Sequence, residues 1–233
     1  LMGWLNSDDM LLPGAFREVA RLWSENTGAQ WISGGCCFVG DEGRTLYTWY
    51  PDGDRALGRV LSMGAGTPQP SSFWRRELWN GVSGLDERLH YCMDEDLWMR
   101  FYIAGARPVV SRRDMAVRYL QPDSKTVLAL PLFSRDFSIC VLRHSRAVPR
   151  GEEALWKAGC RDQAESYAIQ AMLWRGRNAF RGVQVFLDSA LRLSVSGTVR
   201  GMLRGVWAAM RRRQRTAAAS IWVLAPLVPV LIR

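Results

Sequence analysis

The most informative stretch of the sequence is Gly84-Leu-Asp-Glu-Arg-Leu-His-Tyr-Cys-Met-Asp-Glu-Asp-Leu-Trp-Met-Arg100. It holds five acidic residues, and the last three of them, Asp94 to Asp96, run directly into an apolar helical pattern. Acidic side chains in a first helical turn are stabilised by unpaired backbone N–H groups and by the helix dipole. The pattern predicts a helix from Asp94 to Ala104 that stops at Gly105, with acids that either cap the helix or carry chemistry.

A second acidic pair lies near the start of the sequence, in Trp4-Leu-Asn-Ser-Asp-Asp9. The apolar run over residues 2–5 predicts a short strand, so Asp8 and Asp9 are expected at a strand end. Ligand sites of α/β sheets lie at such ends. Carboxylate oxygens are also the ligands that Mg²⁺ and Mn²⁺ prefer. The two acidic clusters together favour chemistry over helix capping alone.

Taken in order, these motifs resemble the second half of an inverting family 2 glycosyltransferase with the GT-A type fold. The resemblance is carried by the Trp4 to Asp9 motif, by Gln69-Pro-Ser-Ser-Phe-Trp-Arg-Arg76, by the Gly84 to Arg100 stretch and by Ser124-Lys-Thr126. It covers residues 1–127. It implies an α/β fold, a partial GT-A (Rossmann-like) layer whose N-terminal nucleotide-binding half is missing. The sheet is then expected to have an open edge.

The resemblance also implies an activity. A sugar passes from a nucleotide-diphosphate donor to a hydroxyl of a saccharide or lipid-linked acceptor, in cell-surface polysaccharide or glycolipid synthesis, by metal-assisted inverting displacement. Asp94 matches the catalytic base. Asp9 matches a ligand of the divalent cation, Mg or Mn, and Asp8 a supporting contact to the donor. Gln69 and Ser71 are candidates for the donor-sugar pocket, although packing in a buried strand explains them equally well.

Three further acids have two interpretations each. Asp86 and Glu87 lie in a loop that either meets the acceptor or forms a turn. Asp96 either caps its helix or orients the loop and a neighbouring arginine such as Arg100. Many members of the family carry a histidine just before Ser-Lys-Thr, whereas this chain has Gln121 there, which leaves the third metal ligand open.

Composition and cysteine content indicate a globular protein from a reducing compartment. The chain has 233 residues, of which 48% are hydrophobic, and this is typical of one or two folded domains. Its five cysteines are odd in number and lack a Cys-x-x-Cys spacing. This argues against a disulfide framework or a zinc site and predicts a cytoplasmic protein.

The positive charge is concentrated in one segment. Between Arg175 and Arg215 there are ten arginines and a single acid, so this segment accounts for the net charge of +9 of the whole chain. The following 17 residues, 216–232, have no charge. A basic helix followed by an apolar tail predicts peripheral binding to an anionic membrane surface, with packing on the catalytic part as the alternative.

Alternating strands and helices predict an α/β layer over residues 1–127, a helical hairpin over 128–197 and a basic amphipathic helix with an apolar tail over 198–233. Strands are predicted at 31–39, 45–50, 71–74, 108–111 and 115–119. Helices are predicted at 13–25, 56–63, 76–79, 94–104, 152–175, 177–193 and 198–215.

Two other classes of function compete with an enzyme. The first is a catalytically inactive, truncated fragment that acts only as a membrane- or partner-binding module. The second is a nucleic-acid-binding protein driven by its arginines, which is disfavoured because the chain has no recognisable nucleic-acid-binding motif.

Overall fold

The computed structural model describes residues 1–40, 43–120, 129–174 and 179–213, with side chains as far as Trp207. Within these residues the chain forms an α/β fold that combines an open, mixed sheet of five strands with eight α-helices. The α/β class predicted from the sequence is confirmed, and so is the open sheet.

The sheet is built around β2 (Trp31–Val39), which is buried along its whole length. On one side of β2 lies the parallel strand β5 (Val109–Tyr119), and β1 (Asp9–Leu11) pairs antiparallel with β5. On the other side, β3 (Thr45–Trp49) and β4 (Ser72–Trp74) both pair antiparallel with β2, one at each end. Because β2 is covered on both faces and both edges, its residues are apolar or small throughout.

The eight helices within the described residues are spread along the chain, and the longest of them lie in its second half. They are α1 (Ala15–Glu25), α2 (Leu57–Met63), α3 (Arg76–Gly81), α4 (Met93–Ile103), α5 (Leu130–His144), α6 (Glu153–Leu173), α7 (Ala179–Leu193) and α8 (Val195–Arg213). A short 3₁₀ turn, Ser145–Ala147, follows α5.

Most predicted helices and strands are confirmed, with bounds that move by a few residues as is usual at helix and strand ends. Three predictions are wrong. Residues 2–5 form no strand, because Met2 makes only an isolated bridge to Trp74 and Asp9 itself begins β1. The two strands predicted at 108–111 and 115–119 are one strand, and the helix α5 was not predicted. Ser124-Lys-Thr126, Gln121 and the 127/128 boundary lie outside the described residues.

β5 is a single strand whose register against β2 shifts at its charged middle section, where side chains from other elements contact it. Arg113 lies 3.5 Å from the Glu18 carboxylate, and Asp114 accepts a hydrogen bond of 2.6 Å from the Tyr50 hydroxyl. The facing position of β2 is Gly34, which leaves room for the Met115 side chain of β5. A Cβ atom on Gly34 would lie only 2.1 Å from the Met115 sulfur. Charged residues that suggest a turn in the sequence are thus held in a strand by tertiary contacts.

The main hydrophobic core lies between the sheet and the helices. It is dominated by aromatic side chains with almost no exposure, among them Trp31, Trp74, Trp98 and Phe101. The expectation that Trp98 and Phe101 are core residues is confirmed. Helices from the second half of the chain add to the same core, with buried side chains that include Phe137, Cys140, Ala164, Tyr167 and Phe186.

α8 packs against α6 through a stripe of three glycines, Gly197, Gly201 and Gly205. A Cβ atom on Gly201 would lie 2.3 Å from the Glu165 carbonyl oxygen, and one on Gly197 would lie 2.3 Å from the Arg161 carbonyl oxygen. Since both obstacles are backbone atoms, the two helices approach as closely as they do only because side chains are missing there. The arrangement fixes which face of α8 points away from the protein.

Of the helices that the structure describes, none is both long and apolar enough to cross a membrane. The uncharged residues 216–232 lie outside the described part of the chain.

Replacing Gly201 by alanine is expected to destabilise the fold, although alanine is the better helix former. The new methyl group would overlap the α6 backbone, so we expect a loss of about 1–3 kcal/mol in the free energy of unfolding. Gly81→Ala is the matched control, because Gly81 lies within α3 and has nothing within 4 Å of its Cβ position. Urea denaturation compares the two. An unchanged midpoint for Gly201→Ala would contradict the close packing of α6 and α8.

Candidate active site

Asp94 lies in the first turn of α4, where its Oδ1 accepts a hydrogen bond of 2.9 Å from the backbone N–H of Glu95. The side chain is partly buried. Burial raises the pKa of Asp94, and the nearby charge of Arg118 and the backbone hydrogen bonds only partly offset this. The carboxylate is therefore a stronger base than an ordinary aspartate.

Glu95 faces the glycine-containing loop that follows α2. Its Oε2 accepts a hydrogen bond of 3.0 Å from the Ala65 N–H, and a Cβ atom on Gly64 would lie 2.7 Å from the same oxygen. Burial, reinforced by the negative charge of Asp94, raises the pKa of Glu95 to about 7. Two adjacent acids at the start of one helix thus both have raised pKa values, which is frequent at functional sites.

Asp9 is held at the start of β1 by a short chain of amide contacts. The Asn6 side-chain amide donates to Asp9 Oδ2 at 2.9 Å and to Gln69 Oε1 at 3.1 Å. Gln69 in turn donates to the Trp4 carbonyl at 2.6 Å. Burial raises the pKa of Asp9, against the opposing effects of Asn6 and Arg118, whereas Asp8 is exposed.

Arg118 of β5 connects the two acidic clusters electrostatically. Its backbone pairs with that of Asp9 in the β1–β5 register. Its positive charge opposes the rise that burial causes in the pKa of Asp9 and of Asp94. Its guanidinium group also lies 5.8 Å from the centre of the Phe38 ring. The fold therefore brings two carboxylates from distant parts of the sequence into the field of one cation.

Stacked indole rings fix the same two clusters relative to each other. Trp4, which precedes the Asn6–Asp9 segment, stacks on Trp98 of α4 with ring centres 6.1 Å apart and planes 6° from parallel. Trp4 also meets Trp74 edge to face at 5.3 Å. Because Trp98 lies one turn after Asp94, these contacts tie the segment of Asp9 directly to the helix of Asp94.

Asp96 is almost fully buried. Its carboxylate is 2.8 Å from both Arg100 Nε and His144 Nε2. Burial raises the pKa of Asp96, but these hydrogen bonds outweigh burial and hold the pKa below its usual value. The expected contact with Arg100 is present, and Arg100 donates further to the Val82 and Gly84 carbonyls at 2.6 Å. Asp96 thus orients the arginine that holds the preceding loop.

Asp86 is engaged in a turn. Its carboxylate accepts hydrogen bonds from the backbone and side chain of Arg88 and, at 2.6 Å, from Arg143 of α5. The hydrogen bond from the Arg88 side chain is the main reason that the pKa of Asp86 lies well below its usual range. Glu87 is exposed beside it. These contacts favour the turn interpretation for Asp86 and leave Glu87 facing solvent.

Gln69 and Ser71 are both buried, and both are hydrogen-bonded within the protein. The Ser71 hydroxyl donates to the Gly34 carbonyl at 2.6 Å, so it connects the loop before β4 to β2. Gln69 reaches the Asp9 cluster through Asn6. Of the two predicted donor-pocket residues, the structure brings Gln69 close to the acidic cluster and holds Ser71 in the packing of the sheet.

The acids that could bind a cation are Asp8 and Asp9. Over residues 1–40, 43–120, 129–174 and 179–213, no group of three or more His, Cys, Asp and Glu side chains is arranged to hold a metal ion. Mg²⁺ is often held by only one or two carboxylates together with phosphate oxygens of the substrate. One exposed and one partly buried carboxylate fit that second pattern.

Sequence reasoning gave no role to three residues of this site: Asn6, Glu95 and Arg118. Glu95 had a local signal, since it lies between two acids at a predicted helix start. Asn6 also lay within a motif. Arg118 had no local signal, because it is brought to the site only by the pairing of β1 with β5.

No protein-family model matches this chain, and a search of curated proteins finds no match.

The raised pKa of Glu95 predicts a pH-dependent stability. The folded protein holds the Glu95 proton more tightly than the unfolded chain, so this contribution is complete below pH 4.5 and is lost as pH rises to about 7. Glu95→Gln keeps an acceptor for the Ala65 N–H and removes the titration. We expect the substitution to reduce the fall in unfolding free energy between pH 5 and pH 8 by up to about 3 kcal/mol.

Urea denaturation at several pH values measures this difference. Glu87→Gln is the matched control, because Glu87 is exposed. If Glu95→Gln and the parent protein lost stability equally with rising pH, Glu95 would have an ordinary pKa.

Proposed function

We propose that this chain carries the acceptor-side catalytic part of an inverting glycosyltransferase of the GT-A type. The reaction transfers a sugar from a nucleotide-diphosphate donor to a hydroxyl of a saccharide or lipid-linked acceptor. The single observation that supports this most strongly is that the charge of Arg118 acts on both Asp9 and Asp94. In this proposal Asp9 binds a divalent cation and Asp94 accepts a proton.

Asp94 is the proposed general base. As the acceptor oxygen attacks the anomeric carbon, the hydroxyl proton passes to the Asp94 carboxylate. The bond between that carbon and the donor phosphate oxygen breaks on the opposite face, and its electron pair leaves with the nucleoside diphosphate. Inversion follows from this single displacement. The raised pKa of Asp94 supports the role, because a base works best when its pKa approaches the working pH.

Asp9, with Asp8 beside it, is the proposed site of a divalent cation, Mg or Mn. Bound there, the cation would neutralise the charge of the leaving diphosphate. The raised pKa of Asp9 supports this role, since burial leaves a carboxylate that gains from a cation. Arg118 is placed to attract the same diphosphate, because a guanidinium group binds phosphate oxygens with paired hydrogen bonds.

We also infer a cytoplasmic location. The five cysteines are all free and buried, which suits a compartment that keeps thiols reduced.

Asp94→Asn is expected to reduce sugar transfer by about 10²- to 10⁴-fold, the usual contribution of general-base catalysis. The amide keeps the size of the side chain and an acceptor for the Glu95 N–H but cannot take up the proton. Donor binding is expected to stay close to that of the parent. The measurement is transfer by the parent and variant proteins from a panel of nucleotide sugars, with Mg²⁺ or Mn²⁺. If the Asp94→Asn variant transferred sugar at the parental rate, Asp94 would act only as a helix cap.

Asp9→Asn is expected to weaken donor binding itself, and to weaken it more in the presence of the cation than without it. The reason is that a carboxylate is lost from the cation's surroundings, whereas the proton acceptor stays intact. Calorimetric titration with nucleoside diphosphate, with and without Mn²⁺, measures the change, and Glu87→Gln is the control. If the parent protein showed neither transfer nor cation-dependent binding, the alternative of a non-catalytic module would be favoured.

A further inference from the structure

We propose that the outward face of α8 docks on the surface of an anionic lipid bilayer. The docking face is an apolar stripe of six side chains: Val195, Val199, Met202, Leu203, Val206 and Trp207. This inference goes beyond the proposed transferase activity and does not rest on it, because it uses another part of the molecule.

The stripe follows from helix geometry. Its members recur at spacings of three and four residues, so they lie on one face of the helix. Each is exposed, with exposed fractions from 38% to 69%. The glycines at 197, 201 and 205 lie on the opposite face, against α6. The apolar face therefore cannot turn inward, since α8 is already packed through its glycines.

The positive charge around the stripe indicates which kind of surface the docking face binds. α7 and α8 together carry seven arginines and one aspartate, a strong positive excess. Arg200 and Arg204 border the stripe and are directed along the protein surface by Glu165, with Arg200 3.3 Å from its carboxylate. An exposed apolar stripe bordered by arginines matches a bilayer surface, whose acyl boundary takes up apolar side chains and whose anionic headgroups attract cations.

The sequence beyond the described residues also favours a lipid bilayer as the surface that the stripe binds. Residues 216–232 are uncharged and consist mainly of apolar residues, and they follow Arg215 directly. A bilayer surface accepts both the stripe and this segment. A nucleic acid would make use of the arginines but not of six exposed apolar side chains.

The test is binding of the full chain to vesicles. The parent protein is expected to bind vesicles of phosphatidylcholine with phosphatidylserine, to bind pure phosphatidylcholine much more weakly, and to be released by high salt because the headgroup attraction is screened. The double variant Val199→Asp, Leu203→Asp is expected to bind the anionic vesicles at least about tenfold more weakly, since it places two negative charges on the stripe.

The matched control is Leu142→Asp with Leu155→Asp, the same change at exposed apolar positions on α5 and α6. It is expected to bind like the parent. Circular dichroism checks that each variant is folded, and the milder pair Val199→Ser, Leu203→Ser provides a second measurement, with a smaller loss expected.

Two results would overturn the proposal. In the first, the parent protein does not distinguish anionic from neutral vesicles, which would leave the stripe to a protein partner. In the second, folded stripe variants bind as tightly as the parent, which would assign binding to residues 216–232 or to the arginines alone. Failure of either kind leaves the transferase proposal untouched, because that proposal is tested by sugar transfer and donor binding.

Discussion

The stacking of Trp98 on Trp4 and on Trp31 is the interaction on which the rest of the structure depends. Trp31 belongs to the central strand, and its ring centre lies 4.9 Å from that of Trp98, while the ring centre of Trp4 lies 6.1 Å from that of Trp98. Pairs of this kind contribute about 0.5–1.5 kcal/mol each beyond the burial of their surface. The indole N–H of Trp98 has no hydrogen-bond partner within the described structure, so packing alone fixes the ring. One side chain thus locks α4, the sheet and the amino-terminal segment together, and with them the two acids of the site.

The parts of this fold that could be predicted from the sequence are those in which local pattern and tertiary environment agree. β2 is apolar and small along its length because it is buried on all sides, so its bounds were predicted from composition alone. α4 was predicted from acids followed by apolar spacing. The same agreement explains why Asp96 and Arg100, one helical turn apart, were paired correctly.

Prediction failed where distant contacts override the local pattern. β5 was predicted as two strands because its charged middle section resembles a turn. Its register against β2 does shift there, while Arg113 and Asp114 contact Glu18 and Tyr50. α5 was missed because the buried polar residues Ser134 and Asp136 interrupt its apolar period. The site has the same limit: its two acids were found within motifs, but Arg118 comes from β5, a strand that is distant in the sequence and adjacent to β1 only in the sheet. Propensity is a weak guide when tertiary pairing decides.

The pairing of β1 with β5 also limits when the amino-terminal segment can fold during synthesis of the chain. Asp9 pairs with Arg118 on the neighbouring strand, so the two strands meet only after almost the whole α/β part has been synthesised. Contacts between distant segments form late, because the intervening chain must first lose its freedom. Neighbouring helices such as α6 and α7 face no such delay. During synthesis Trp4 therefore stays uncovered until α4 has been made, and Asp9 has no strand partner until β5 has been made.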